Sequence, residues 1–390
     1  MLSDGELSRE VFIVPKYGYI LLNGASFPSH HRSICRKNRM PEKIGVGLAS
    51  FGMSGRVFHA PLVSHHENFR LARVVERSTD AAHSRYPDVP ISRSVDDLLA
   101  DGNVDLVVVN TPDRTHYEIA KRCLESGKHV IVEKPFTQTV EQGDELIKLA
   151  GQYGKALTVF HNRRWDGDFL TVRQIVERKL LGRLVEFESH YDRYRNFIQS
   201  GTWKEQLDSG SGLLYNLGSH MIDQALVLFG VPVAVTAQVK TMRIGGEVDD
   251  WFDVRLHYDE VNVAVKSSYL VREAGPRYVL HGTLGSFVKY GLDPQEEALK
   301  QGLAPGGPDW GKEPQEWWGL INTEINGVPK KATVETKRGN YGAFYDSVYS
   351  KITAGAPLAV TPQEALNVVR VIEAAKRSDQ TKQTVFLGRF

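Results

Sequence analysis

The hydrophobic pattern of this chain changes period about halfway along. Between residues 43 and 160, short apolar runs alternate with stretches of helical spacing. Lys43–Ala49, Phe69–Glu76, Asp105–Asn110, Lys128–Glu133 and Ala156–Phe160 are strand-like, several of them apolar almost throughout. Near-continuous apolar strands mark a parallel sheet buried on both faces. Arg56–Val63, Val95–Ala100, His116–Ser126 and Val140–Tyr153 read as the helices between them. In the third of these, Ile119, Ala120, Cys123 and Leu124 form one stripe. Strands alternating with helices of this length predict a doubly wound parallel sheet of the α/β class over residues 41–160. Ligands of such sheets bind off the carboxyl ends of the strands.

From about Arg183 the alternation becomes two-fold. Phe252, Val254, Leu256 and Tyr258 alternate with Asp253, Arg255 and His257, and Val261, Val263 and Val265 follow the same rule. Arg183–Arg195, Val233–Met242, Tyr278–His281 and Ser286–Tyr290 are further strand candidates. Strict alternation predicts a large, mostly antiparallel open sheet with one face covered by its own domain. Leu213–Phe229 and Gln363–Lys376 are the covering helices. Residues 161–390 are therefore expected to form an α+β domain that binds substrate. Its uncovered face predicts a homodimer or homotetramer built through the sheet. Residues 291–319, rich in Gly, Pro and Trp, read as a long ordered loop.

Residues 1–40 share neither pattern. Asp4, Glu6 and Glu10 do not fit an acid-poor presequence, and Tyr19-Ile20-Leu21-Leu22 is too short for a secretory apolar core. The expectation is an extension outside both cores, or a start upstream of a natural initiator at Met40. Composition narrows the function classes. Lys plus Arg total 48 against 47 Asp plus Glu, a net charge of +1 that gives no phosphate-neutralising excess for coating nucleic acid. No apolar run reaches membrane-spanning length. Cys35 and Cys123 cannot build a disulfide framework, which favours a reducing, cytoplasmic setting. The 13 histidines form no H-E-x-x-H or H-x-x-x-H cluster with carboxylates, so no metal is expected.

The chemistry gathers at strand ends. After the first strand come Ser50, Gly52, Met53, Ser54 and Gly55, a G-x-G-x-x-G fingerprint with Ser50 in the first glycine's place. Glycines there let backbone N–H groups approach a pyrophosphate at a helix N-terminus, the mark of a Rossmann dinucleotide site. Glu76, about 20 residues on, stands where an acid reads a ribose hydroxyl, and Arg77 and Ser78 follow it. The arginine favours NADP as cofactor over the alternative, NAD. Lys134 leaves a buried strand just before Pro135, positioned to hydrogen-bond an alcohol or stabilise an alkoxide. His220 lies in a helix with Asn216 one turn earlier and Asp223 three residues on, and an imidazole there can take a hydroxyl proton.

These residues, with Asn110-Thr111-Pro112, His116 and Glu133-Lys134-Pro135, give the chain a resemblance to the glucose–fructose oxidoreductase / inositol dehydrogenase / rhizopine catabolism (Gfo/Idh/MocA) family over about residues 43–390. Phe51–Pro61 and Asn162–Asp166 place the resemblance nearest its scyllo-inositol 2-dehydrogenase-like branch. The resemblance implies a cofactor along Ser50–Gly55, with Asn110, Thr111, Pro112, His116, Glu133, Lys134 and Pro135 around it. It implies His220 as proton acceptor and Lys134 as the partner of the reacting oxygen of a polyol or sugar. Arg163, Arg164, Trp165, Asp166 and Tyr191 are the implied sugar contacts. The family generally has Asp where this chain has Asn216. The competing readings are a non-catalytic sugar- or nucleotide-sensing protein on the same fold, and a glycosidase using bound NAD.

Overall fold

The computed structural model describes residues 43–202, 205–206 and 210–388, and the extension expected over 1–40 lies outside them. Six parallel strands build the first sheet: β1 (Ile44–Leu48), β2 (Phe69–Val75), β3 (Ile91–Ser92), β4 (Leu106–Val109), β5 (His129–Val132) and β6 (Leu157–Val159). Their order is β3-β2-β1-β4-β5-β6. Strand order reverses between β1 and β4, which opens a crevice at their carboxyl ends where dinucleotides bind in this topology. The apolar runs are the reason: every residue of β1 and β4 is buried, so helices must cover both faces.

Nine strands build the second sheet: β7 (Leu184–His190), β8 (Ala234–Lys240), β9 (Trp251–His257), β10 (Asn262–Ser268), β11 (Tyr278–Gly282), β12 (Gly285–Lys289), β13 (Gly319–Ile325), β14 (Val328–Val334) and β15 (Val385–Phe386). Their order is β14-β13-β12-β11-β7-β10-β9-β8-β15, antiparallel except where β7 meets β10. The two-fold pattern is realised as predicted in β9, whose Phe252, Val254 and Leu256 are buried. The helices Ser219–Phe229 and Pro362–Thr381 cover that inner face, adding Met221, Ile222, Val368 and Val371 to its core.

Several elements were not legible in the pattern. Gly167–Glu177 and Gly342–Ala354 are helices, and the stretch read as loop over 291–319 contains the short helix Gln295–Lys300. The helix Gly342–Ala354 is crowded with aromatics, because it packs Phe344 and Tyr345 into the first domain's core beside Phe58 and Phe160. Tyr341, Val360 and Leu366 join the same core, so chain beyond residue 161 returns to complete it. The predicted helix over Arg56–Val63 is a π-helical turn, Gly55–His59, running into the α-helix Ala60–His65. A second π-turn, Leu214–Gly218, opens the helix that carries His220.

One buried ion pair fixes that helix to the end of the first sheet. Arg164, in the turn after β6, donates from Nε and Nη2 to Asp223 Oδ2 and Oδ1 at 2.9 and 2.7 Å. Its Nη1 reaches the Ala359 carbonyl at 2.8 Å. Removing one partner strands the other charge without water. Arg164→Met should cost about 3–5 kcal/mol in chemical denaturation, and adding Asp223→Leu should recover most of that loss.

Candidate active site

A cavity of about 620 Å³ opens between the carboxyl ends of β1, β4 and β5 and the helix that carries His220. The glycine loop forms one end. Asn110, at the end of β4, accepts from Ser50 N–H at 3.0 Å and donates to the Ser50 carbonyl at 2.8 Å, locking the loop to the sheet. Gly55 packs into this lock: a Cβ there would lie 2.5 Å from the Ser50 carbonyl oxygen and 2.6 Å from Asn110 Nδ2. Ser50 replaces the expected glycine with a purpose, since its hydroxyl accepts the Gly52 N–H at 3.1 Å and shapes the turn. Gly52, Met53, Ser54, Thr111 and Pro112 line the cavity beside it. A loop pared to glycine at a helix start, off the strand ends, fits a dinucleotide pyrophosphate.

Glu76 does not face that cavity. Its carboxylate accepts Thr79 Oγ1 at 2.5 Å and the Ala81 and Ala82 N–H groups at 3.0 and 2.7 Å. It caps the turn after β2 and is 6% exposed. Arg77 and Ser78 beside it are exposed. His116 lines the cavity but turns both ring nitrogens to carbonyls, Pro135 O at 2.9 Å and Thr111 O at 3.0 Å, pinning the two loops together.

Glu133 and Lys134 follow β5, and the Lys134–Pro135 peptide is cis. Glu133 is the anchor of a buried chain. It accepts from His59 Nε2 at 3.0 Å, from the Ser54 hydroxyl, and from Lys134 N–H at 3.0 Å. The other nitrogen of His59 meets the Tyr345 hydroxyl at 2.7 Å. Burial pushes the Glu133 carboxyl up, but His59, Ser54 and the Lys134 charge outweigh it and hold it down at about 2. His59 and Tyr345 escaped the sequence analysis. Neither stands at a strand end, and they meet across 286 positions of chain.

Lys134 Nζ donates to the Asn216 carbonyl at 2.7 Å and lies 3.2 Å from Asn216 Oδ1. Asn216 therefore holds the lysine. The one-turn spacing expected between Asn216 and His220 is α-helical, and the π-turn Leu214–Gly218 occupies part of that stretch. Asp223 does not orient His220 either, because Arg164 occupies both its oxygens. His220 is 5% exposed, its Nδ1 has no partner among the described residues, and its ring stands 6.2 Å from that of His161. Burial, then Lys134, Arg163, His161 and Arg277, drive its pKa well below 6.5, so the imidazole is neutral at pH 7. Burial likewise brings His161 down to about 4, against the pull of Asp223.

Of the five expected sugar contacts, Arg163 alone is in the cavity lining. Arg164 belongs to the Asp223 pair. Asp166 is buried against Tyr341 Oη at 2.7 Å and Arg163 at 3.1 Å. Trp165 packs on Phe344, and Tyr191 lies beneath the Arg163 guanidinium at 5.1 Å. The string Asn162–Asp166 thus works mainly as a buried brace. Its residue types suit sugars and buried salt links equally, so the sequence could not separate the two. Arg193, Arg195, Glu296 and Lys300 line the cavity instead.

The depressed carboxyl of Glu133 has a measurable consequence. A group held at about 2 against an ordinary 4.5 stabilises the fold fully above pH 4.5, and that contribution is lost as pH falls toward 2. Glu133→Gln should lower stability at pH 7 by roughly 3 kcal/mol. Its acid unfolding curve should be shallower than that of the parent between those two pH values.

Comparison with known proteins agrees with this architecture. Residues 44–161 match the model of an oxidoreductase family's NAD-binding Rossmann fold, and residues 173–387 match that family's C-terminal alpha/beta domain. The scyllo-inositol 2-dehydrogenase (NADP(+)) IolW of Bacillus subtilis is 38% identical over 356 residues, covering 91% of this chain and 99% of that one. A solved structure from Bacteroides fragilis is 52% identical with a TM-score of 0.82, covering 89% of this chain and all of that one. The crystal structure of an oxidoreductase from Bacillus cereus is 34% identical with a TM-score of 0.82, covering 88% and 100%. The chain belongs to the Gfo/Idh/MocA oxidoreductase family, and its first domain is that family's NAD-binding Rossmann fold.

Proposed function

We propose that this oxidoreductase interconverts a secondary alcohol of a polyol or sugar and the corresponding ketone, with NADP as its cofactor. A bound nicotinamide supplies the hydride acceptor or donor. The Ser50–Gly55 loop would hold its pyrophosphate, and Thr111, Pro112 and Pro135 would border its path to Lys134. One observation carries the reading: Lys134 Nζ lies 2.7 Å from the carbonyl of Asn216, in the same helical segment as His220. The lysine and the histidine therefore line one cavity.

The roles follow from charge. His220 is neutral and so is able to accept a hydroxyl proton. The cations that lower its basicity, Lys134 first among them, also stabilise an alkoxide developing on the substrate oxygen. Lys134 donates to that oxygen while Asn216 fixes the direction of its ammonium group. The NADP preference rests on Glu76. Its carboxylate is committed to Thr79, Ala81 and Ala82, so it is withdrawn from a ribose, and Arg77 and Ser78 are left exposed for a 2′-phosphate. The relative IolW, named for NADP(+), supports the same choice. Association through the outer face of the second sheet is part of this reading, where Leu320 is exposed.

Two measurements test the reading. His220→Ala and Lys134→Ala should each lower kcat by about 10²–10⁴-fold on a polyol panel while cofactor affinity stays near that of the parent. Titration of both cofactors should show tighter NADP binding. Arg77→Ala should weaken NADP by at least about tenfold and leave NAD unchanged. Tighter NAD binding, indifferent to Arg77→Ala, would refute the cofactor choice.

A further inference from the structure

The cavity is lined by as many acids as cations, but the acids pair unevenly. Arg163, Arg193, Arg195 and Lys300 all line it. Arg163 is paired with Asp166 at 3.1 Å and with Glu296, and Lys300 shares Glu296 at 2.8 Å. Glu205, also in the lining, is engaged by Arg243 at 2.8 Å. Arg193 and Arg195 remain. Among the described residues neither side chain makes a hydrogen bond or a close ion pair, although Arg193 is near enough to Glu296 to help lower its carboxyl.

Their placement is built rather than loose. The backbone N–H groups of Arg193 and Arg195 donate to the carbonyls of Ser268 and Tyr269 at 2.9 and 2.7 Å. That pairing holds the segment extended, and residues two apart in extended chain point to one side. Each guanidinium lies over a tyrosine, Arg193 over Tyr191 and Arg195 over Tyr269, both at 5.3 Å. An aromatic ring against the flat face leaves the N–H edge for a pair of oxygens in the guanidinium plane. The other guanidiniums on these rings are already matched. Arg277 has Asp168 at 3.7 Å, and Arg243 has Asp250 at 2.8 Å. Arg193 and Arg195 thus keep guanidinium edges that no carboxylate hydrogen-bonds among the described residues.

We propose that the substrate carries an anionic group, a carboxylate or a phosphate, held by Arg193 and Arg195, so that the preferred alcohol is an acidic sugar or polyol. This rests on the dehydrogenase reading above and narrows its substrate class. Arg163, already matched by two acids, lies over the same Tyr191 ring as Arg193 and contributes to the field at His220. The anion site therefore sits on the His220 side of the cavity.

Calorimetric titration of the full chain with NADPH bound tests this without turnover. The probes are glucuronate, glucose 6-phosphate and glucose, at low and high salt. An acidic sugar should bind at least about tenfold more tightly than glucose, and salt should reduce the difference. Arg193→Met with Arg195→Met should abolish the preference, and an unchanged NADPH affinity shows that the variant is folded. Preference for glucuronate over the phosphate, or the reverse, identifies the anion. Equal affinity for neutral and acidic sugars, no binding of either acid, or a preference that survives in the double variant would overturn the proposal. Turnover is read separately. Acidic sugars that bind but are never oxidised count against the dehydrogenase reading alone. Neutral polyols oxidised with no acid preference count against the anion site alone.

Discussion

The contact between Lys134 and Asn216 is the constraint on which the site depends. A lysine at the end of a buried strand ordinarily reaches for water. Here its ammonium group is captured by a carbonyl and an amide oxygen of a helical turn in the second domain. A neutral acceptor holds the lysine without cancelling its charge. A carboxylate at position 216 would form an ion pair and mute the field that reaches His220. The departure from the family's usual aspartate thus leaves the Lys134 charge uncancelled at this contact.

Other charges around the cavity are held in pairs. Glu133 is fixed by His59, Arg164 by Asp223, and Arg163 by Asp166 and Glu296. Each pair is bonded, so none is a loose charge beside the cavity. The two π-turns, at Gly55–His59 and Leu214–Gly218, lie on opposite sides of the cavity and begin the two helices that carry His59 and His220. Such turns change side-chain direction within a helix, and they recur at functional sites.

The parallel sheet was legible because strands buried on both faces need apolar residues at every position, as in Leu106–Val109. The second sheet was legible where one face meets the core, as in β9, and not in β14, which is exposed along nearly its whole length. The place of Lys134 and His220 in one cavity was legible because motif position tracks strand and helix ends. Glu76 was found at the right place with the wrong task, since sequence spacing locates a carboxylate but not the N–H groups that claim it. Arg193 and Arg195 were hidden because the edge of a strand candidate carries no signal for which arginine lacks a partner.

The proposed role of His220 depends on burial, and then on Lys134 and Arg163, keeping its imidazole neutral and ready to receive a proton. The most direct test is the ring titration of His220 followed by NMR in protein with labelled histidine, assigned by loss of its signal in His220→Gln. The account predicts a midpoint well below 6.5, moving upward when Lys134→Met removes the nearest positive charge. A midpoint at or above 6.5, unmoved by that substitution, would contradict it.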